Sequence, residues 1–291
     1  MSEVTGLRPR RGYVAAPHGQ VHYSTLGAGP PLVLLGPAPR SIAAFEPLMQ
    51  ALPGLRTIAV DQPGFGGSDP LPSGASMDDI AGCVTHVLDV VEPGPVHLFG
   101  LHTGAKVAAA FAALQPRRVR TLTVCGKSHS LVPDRERRNA AMRAVVHERY
   151  FSPGAMAADP VRAWTATWRN FAAAWWPDGL FTQAWPGALI AALERKLADD
   201  LTARATVRDS YAANFQFDFA AALARAEAPV CVVEITSDAE DATVGRQGGA
   251  LAAYARNGRC VTLPDTDPTG LFLHAGTEPL AGVLREIAGG T

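Results

Sequence analysis

Val96-His97-Leu98-Phe99-Gly100-Leu101-His102-Thr103-Gly104-Ala105-Lys106-Val107 carries the decisive change of pattern in this chain. A continuous apolar run gives way, across two glycines, to an Ala-rich stretch that continues to residue 114. A short apolar run bounded by glycine suits a strand buried on both faces, and the alanines after it favour helix. So sharp a turn needs residues without side-chain bulk on either side of its centre. It also pushes the central residue, His102, outward above the sheet edge, next to the positive end of the helix.

Working outward, the same alternation repeats. QVHYSTLG (20–27), PLVLLG (31–36), RTIAVD (56–61), VHLFG (96–100) and TLTVC (121–125) read as strands, with helices near 41–52, 77–91 and 103–114 between them. Ser76 followed three residues later by Asp79 predicts a capping box opening the second helix, and Pro93-Gly94-Pro95 stops it. Alternating strands and helices predict an α/β fold: a mostly parallel twisted sheet with helices on both faces. Between 128 and 228 the strand pattern disappears, and APVCVVEIT (228–236) and GRCVTLP (258–264) resume it. The expected organisation is a core of residues 1–127 and 229–291 with a helical cap over residues 128–228. All five tryptophans lie in that insertion. Trp164, Trp168, Trp175 and Trp176 are candidates to line a substrate pocket, although spacings of four and seven also suit one buried helix face for Trp164, Trp168 and Trp175.

Composition narrows the function. The 291 residues carry 26 basic and 27 acidic side chains and no long run of one sign, so nucleic acid and anionic lipid are not expected partners. The N-terminus has no apolar segment behind its arginines, and no stretch reaches the ~20 apolar residues that span a bilayer. A cytoplasmic enzyme acting on a small molecule is the expectation, with its oligomeric state left open. Cys83, Cys125, Cys231 and Cys260 are isolated from one another, which favours reduced thiols in the core. No cofactor is expected: Asp69 stands where the third glycine of a dinucleotide fingerprint belongs, and Thr121 where a P-loop needs glycine. No metal is expected either, because His18, His22, His86, His97, His129 and His147 show no ligand spacing. His97, inside a strand, is expected to be a hydrogen-bonded core residue.

Three segments together resemble the α/β-hydrolase fold superfamily. Gly100-Leu101-His102-Thr103-Gly104 is similar to the G-x-S-x-G nucleophile elbow, with histidine in place of serine. Asp61-Gln62-Pro63-Gly64-Phe65-Gly66-Gly67-Ser68 resembles the D-x-P-G-F-G-x-S loop, and Leu34-Leu35-Gly36-Pro37-Ala38-Pro39 the L-L-H-G-x-P oxyanion loop. The resemblance covers nearly the whole chain and implies a lid at the helical insertion. It also implies an oxyanion hole from the backbone N–H groups of Ala38 and Thr103. Arg40 is a further candidate donor in that turn, and equally a solvated charge. The family's acid falls on Asp238, with Asp241 the alternative. Leu271 stands where the family's histidine is expected. His274, three residues later, and Asp267 are further candidates, and a surface position is the blander reading of His274.

Losing both the serine and its partner histidine removes the proton relay of a serine esterase. An imidazole at the elbow suits general base catalysis instead, since an unperturbed histidine accepts a proton near pH 6.5. The first expectation is therefore an atypical hydrolase, in which His102 activates water against an ester, lactone or β-diketone and Asp238 orients the ring. The alternatives are lyase, cyclase or isomerase chemistry by proton abstraction, as in secondary metabolism, and an inactive ligand-binding relic.

Overall fold

The computed structural model describes residues 8–150, 187–266 and 275–289. Eight strands form one sheet: β1 (Arg10–Ala16), β2 (Gly19–Leu26), β3 (Pro31–Leu35), β4 (Arg56–Val60), β5 (Val96–Leu101), β6 (Val119–Lys127), β7 (Val230–Thr236) and β8 (Gly258–Pro264). Their order is β1-β2-β4-β3-β5-β6-β7-β8. The first two pairings, β1 with β2 and β2 with β4, are antiparallel, and all the others are parallel. Every residue of β5 is buried, as a central parallel strand covered on both faces requires.

Helices cover both faces. Helix α2 (Met77–Val91) and α3 (Thr103–Leu114) pack on one face with Val33, Val60, Leu98 and Val124. The short α1 (Glu46–Gln50) and, near the end of the chain, Thr277–Gly289 pack on the other with Leu34, Phe99 and Val233. The capping box forms: the Ser76 hydroxyl accepts from the Asp79 amide at 3.2 Å, and the Asp79 carboxylate accepts from the Ser76 amide at 2.8 Å. The helix expected near 41–52 splits into a 3-10 turn at Ile42–Phe45 followed by α1. Strand β1 was not expected from sequence. It is an edge strand whose outer residues are exposed arginines, which blunts the apolar alternation that marks a strand. Cys83, Cys125 and Cys231 are buried thiols, but Cys260 is exposed on the edge strand β8, which corrects its placement in the core.

Within residues 128–228 the described part is helical: α4 (Arg135–Tyr150), α5 (Gly187–Thr202), α6 (Val207–Gln216) and α7 (Phe219–Arg225). Helix α7 buries Phe219, Ala222 and Leu223 in the same cluster as α3, so it packs as part of the core layer. Helix α5 is clamped to the loop after β3. Arg40 pairs with Asp200 at 3.2 Å and donates to the Lys196 carbonyl, while the Ser41 amide donates to Asp199 at 3.0 Å. Burial raises the Asp199 pKa despite the hydrogen bonds from Ser41 and the nearby Arg40. Trp164, Trp168, Trp175 and Trp176 lie outside the described residues. Among the described residues no helix is long and apolar enough to cross a membrane.

Candidate active site

The sheet topology decides where the site lies. Strand β3 pairs in parallel with β4 on one side and β5 on the other, with Leu35 opposite Gly100. The chain runs outward in opposite directions from this pair, and open α/β sheets bind ligands at such a switch point, beyond the carboxyl ends of the strands. The loop after β3 therefore lies beside the turn after β5.

That turn is built around close backbone approach. A Cβ on Gly100 would stand 2.3 Å from the Gly104 carbonyl oxygen, and one on Gly104 would stand 2.1 Å from the Leu35 carbonyl oxygen. Between them His102 adopts φ 51° and ψ −110°, the one positive φ at a non-glycine residue among the described residues. Such a conformation costs roughly 1–3 kcal/mol and is held only by over-determining surroundings. Here the His102 amide donates to the Cys125 carbonyl at 2.8 Å, and its carbonyl accepts from Ala105 at 3.1 Å.

The next turn, Ser128–Ser130 after β6, supports the ring. Nδ1 of His102 lies 3.2 Å from Ser130 Oγ, and that hydroxyl donates to the Lys127 carbonyl at 2.8 Å. A serine hydroxyl has one proton, and here it is given to Lys127. Ser130 must then accept from His102, which places the neutral ring's proton on Nδ1 and its basic lone pair on Nε2. Gly126 makes room for this pair, because a Cβ there would sit 2.3 Å from Ser130 Oγ and 3.2 Å from Nδ1 of His102. Below the turn, Ser128 donates to the buried Glu234 at 2.9 Å, and the fully buried Lys106 donates to the Ser130 carbonyl at 2.5 Å.

A second imidazole accompanies the first. The His129 ring lies 6.1 Å from that of His102, centroid to centroid, with only 17° between their planes. Its Nδ1 meets Glu240 Oε1 at 2.8 Å, and its amide donates to the other carboxylate oxygen at 3.0 Å. Burial works to raise the Glu240 carboxyl, but the His129 hydrogen bonds and charge, with Lys127, hold it below the usual glutamate value.

The residues expected from sequence fare unevenly. Ala38 and Thr103 are adjacent, but the Ala38 amide donates to the Thr103 hydroxyl itself, so the Thr103 side chain occupies the mouth of the expected hole. The Arg40 amide is used within the turn, donating to the Pro37 carbonyl at 2.7 Å, and its side chain is held by α5, which corrects its assignment as an anion-hole donor or a solvated charge. Asp238 opens the helix Asp238–Thr243 and is exposed, and among the described residues its side chain forms no hydrogen bond or ion pair. Asp241 pairs with Arg246 at 3.2 Å. The carboxylate that meets His129 is Glu240, two positions after Asp238, on the first turn of the helix that Ser237 caps. Asp267, His274 and Leu271 lie outside the described residues. His97 is buried, with Nδ1 2.8 Å from Thr121 Oγ1, as expected. Sequence reasoning passed over Ser130, His129 and Glu240. The available signal was their position directly after strands β6 and β7. Among the described residues no three His, Cys, Asp or Glu side chains gather as a metal site.

Comparison with known proteins agrees with this fold. The family model described as alpha/beta hydrolase fold matches residues 30–175, half of the chain. Over 116 residues the chain is 37% identical to the 2-hydroxy-6-oxononadienedioate/2-hydroxy-6-oxononatrienedioate hydrolase 2 of Pseudomonas putida. That match covers 37% of this chain and 40% of the relative, so the likeness spans well under half of either protein. Among solved structures, a hydrolase from Pseudomonas aeruginosa PA01 superposes with a TM-score of 0.67 at 22% identity, covering 96% of this chain and 98% of the other. An epoxide hydrolase from Vigna radiata superposes with a TM-score of 0.70 at 16% identity, covering both chains in full. These two likenesses speak for the fold.

Proposed function

The chain belongs to the α/β-hydrolase fold family, and we propose that it hydrolyses a small organic carbonyl compound by general base catalysis, with His102 activating water in place of a serine nucleophile. The observation that carries this reading is the anchoring of His102. The elbow backbone presents the side chain at the switch point, and Ser130, its own proton committed to Lys127, assigns the basic lone pair to Nε2. In the proposed step Nε2 takes a proton from water as the water oxygen bonds to the carbonyl carbon. The oxyanion that develops is received by Thr103. Because the Thr103 hydroxyl accepts from the Ala38 amide, its own proton is available to donate, and the Thr103 backbone N–H at the helix start adds to it. An ester, lactone or β-diketone carbon is electrophilic enough for water activated in this way. A hydrolase named for a 2-hydroxy-6-oxo dicarboxylate among the relatives supports the carbonyl class.

The experiment is turnover of p-nitrophenyl acetate, ethyl butyrate, an enol lactone and 2,4-pentanedione by wild type and His102→Ala. A positioned general base contributes about 10²- to 10⁴-fold, so His102→Ala should lower turnover by that order and keep its thermal midpoint. Serine-directed fluorophosphonates should not label the wild type. Unchanged turnover in His102→Ala, or stoichiometric label on Thr103, sinks the reading.

A further inference from the structure

We infer that Asp199, on the cap helix α5, is a positioning residue for the reaction: it fixes the turn after β3 and so sets the Thr103 hydroxyl that meets the developing oxyanion. The inference rests on the hydrolytic reading above and gives the cap a part in that chemistry. Its starting point is a pair of contacts. Consecutive buried acids of α5 hold consecutive residues of the turn, Asp199 the amide of Ser41 at 3.0 Å and Asp200 the guanidinium of Arg40 at 3.2 Å. The Ser41 hydroxyl bonds the same Asp199 carboxylate. From the core side, the Asp61 carboxylate takes the next amide, Ile42, at 2.7 Å.

That grip reaches the site through few intervening atoms. The Arg40 amide donates back to the Pro37 carbonyl at 2.7 Å, which closes residues 37–40 into one tight turn with Ser41 directly after it. Within the turn the Ala38 amide donates to the Thr103 hydroxyl. A hydroxyl that accepts there has its own proton turned elsewhere, so the place of the turn decides where that proton can point. Pro37 and Pro39 stiffen the segment, because each fixes its own φ. A displacement of Ser41 is therefore passed to Ala38 and not absorbed between them.

The same acid weakens the fold at neutral pH, which separates positioning from mere attachment of the cap. Burial raises the Asp199 pKa, and Asp61 adds to the rise, against the Ser41 bonds and the nearby Arg40. A folded-state value above the unfolded one means that the group's contribution to stability falls as pH rises through the folded value, so the ionised carboxylate opposes folding. Asparagine there keeps the shape and one acceptor for the Ser41 amide, and removes the charge. Arg195 of the same helix donates to the Ala43 carbonyl at 3.0 Å, beyond Ser41, and so ties α5 to the core without holding the turn.

Wild type, Asp199→Asn, Asp199→Ala and Arg195→Ala are compared on p-nitrophenyl acetate, with thermal midpoints measured in parallel. A misplacement of about 1 Å at a reacting group costs about 10²-fold, so kcat should fall about tenfold in Asp199→Asn and further in Asp199→Ala, with KM little changed. The midpoint of Asp199→Asn should equal or exceed that of wild type, whereas Arg195→Ala should lower the midpoint and keep kcat. Ser41→Ala removes only the hydroxyl's bond to the same carboxylate. It replaces any Asp199 variant that does not fold, and should lose kcat to a smaller degree. Unchanged kcat in both Asp199 variants, a loss confined to KM, a lowered midpoint in Asp199→Asn, or an equal loss of kcat in Arg195→Ala, with His102→Ala still inactivating, would overturn the positioning role alone. No turnover by wild type, or turnover indifferent to His102→Ala, would instead remove the hydrolytic reading on which it rests.

Discussion

Ser130 Oγ stands 3.2 Å from Nδ1 of His102 while giving its own proton to the Lys127 carbonyl, so one hydroxyl sets the tautomer of the elbow imidazole. Ser130→Ala removes this constraint and leaves the ring in place. A neutral hydrogen bond contributes about 0.5–1.5 kcal/mol, so kcat/KM should fall about two- to twelvefold, well short of the loss in His102→Ala. Steady-state kinetics on the carbonyl panel checks this. A loss equal to that of His102→Ala would mean that Ser130 does more than orient the ring.

Thr103 receives the Ala38 amide through its hydroxyl, and in the proposed mechanism that hydroxyl is the donor to the developing oxyanion. Thr103→Val keeps the buried shape and deletes the donor. Losing one such donor costs about 10²- to 10³-fold in kcat. A rise in kcat, read in the same assay, would show that the side chain blocks the backbone amides.

Gly104 is the tightest point of the elbow, its missing side chain facing the Leu35 carbonyl oxygen. Gly104→Ala sets a methyl carbon against backbone that cannot give way as a side-chain tip can. Overpacking of this kind costs about 1–3 kcal/mol or more, and the urea midpoint should fall accordingly. A midpoint equal to wild type would mean that the elbow backbone shifts freely.

Lys106 is fully buried beneath the Ser128–Ser130 turn, with its nitrogen 4.8 Å from the centre of the Phe219 ring, and no carboxylate among the described residues pairs with it. Burial first, and then the neighbouring Arg138, hold its pKa well below the usual 10.5. A folded-state value below the unfolded one means that the unfolded chain binds the extra proton. Stability from this group therefore grows as pH rises toward the ordinary lysine value and is lost as pH falls. Lys106→Met should remove that slope and raise stability at neutral pH by about 1 kcal/mol or more, offset in part by the lost bond to Ser130. Thermal midpoints of both proteins from pH 6 to 10 test it. Parallel curves would show that Lys106 titrates alike in both states.

How far the sequence could be read follows the range of the interactions involved. The elbow Gly100–Gly104, the Asp61–Ser68 loop and the Ser76–Asp79 capping box were legible because each is decided within a few residues, by side-chain bulk, positive φ or a local hydrogen bond. Counting from β7 pointed to Asp238 and could not tell which residue of the next helical turn faces His129. Ser237 capping that helix settles it in favour of Glu240 over Asp238. Strand β1 was missed because its pairing with β2 owes little to its own apolar pattern.

By itself, then, the amino-acid sequence determined the α/β class, the histidine at the elbow and the absence there of a serine, since each is written in contiguous residues. Only the tertiary structure decided what surrounds that histidine. Ser130 comes from 28 positions further along, and Glu240 reaches His129 across 111. Those contacts exist because β5, β6 and β7 lie side by side in register, ending at one edge. Adjacency in a parallel sheet is set by how strands and crossover helices bury their apolar faces together, and no local pattern in the chain records it.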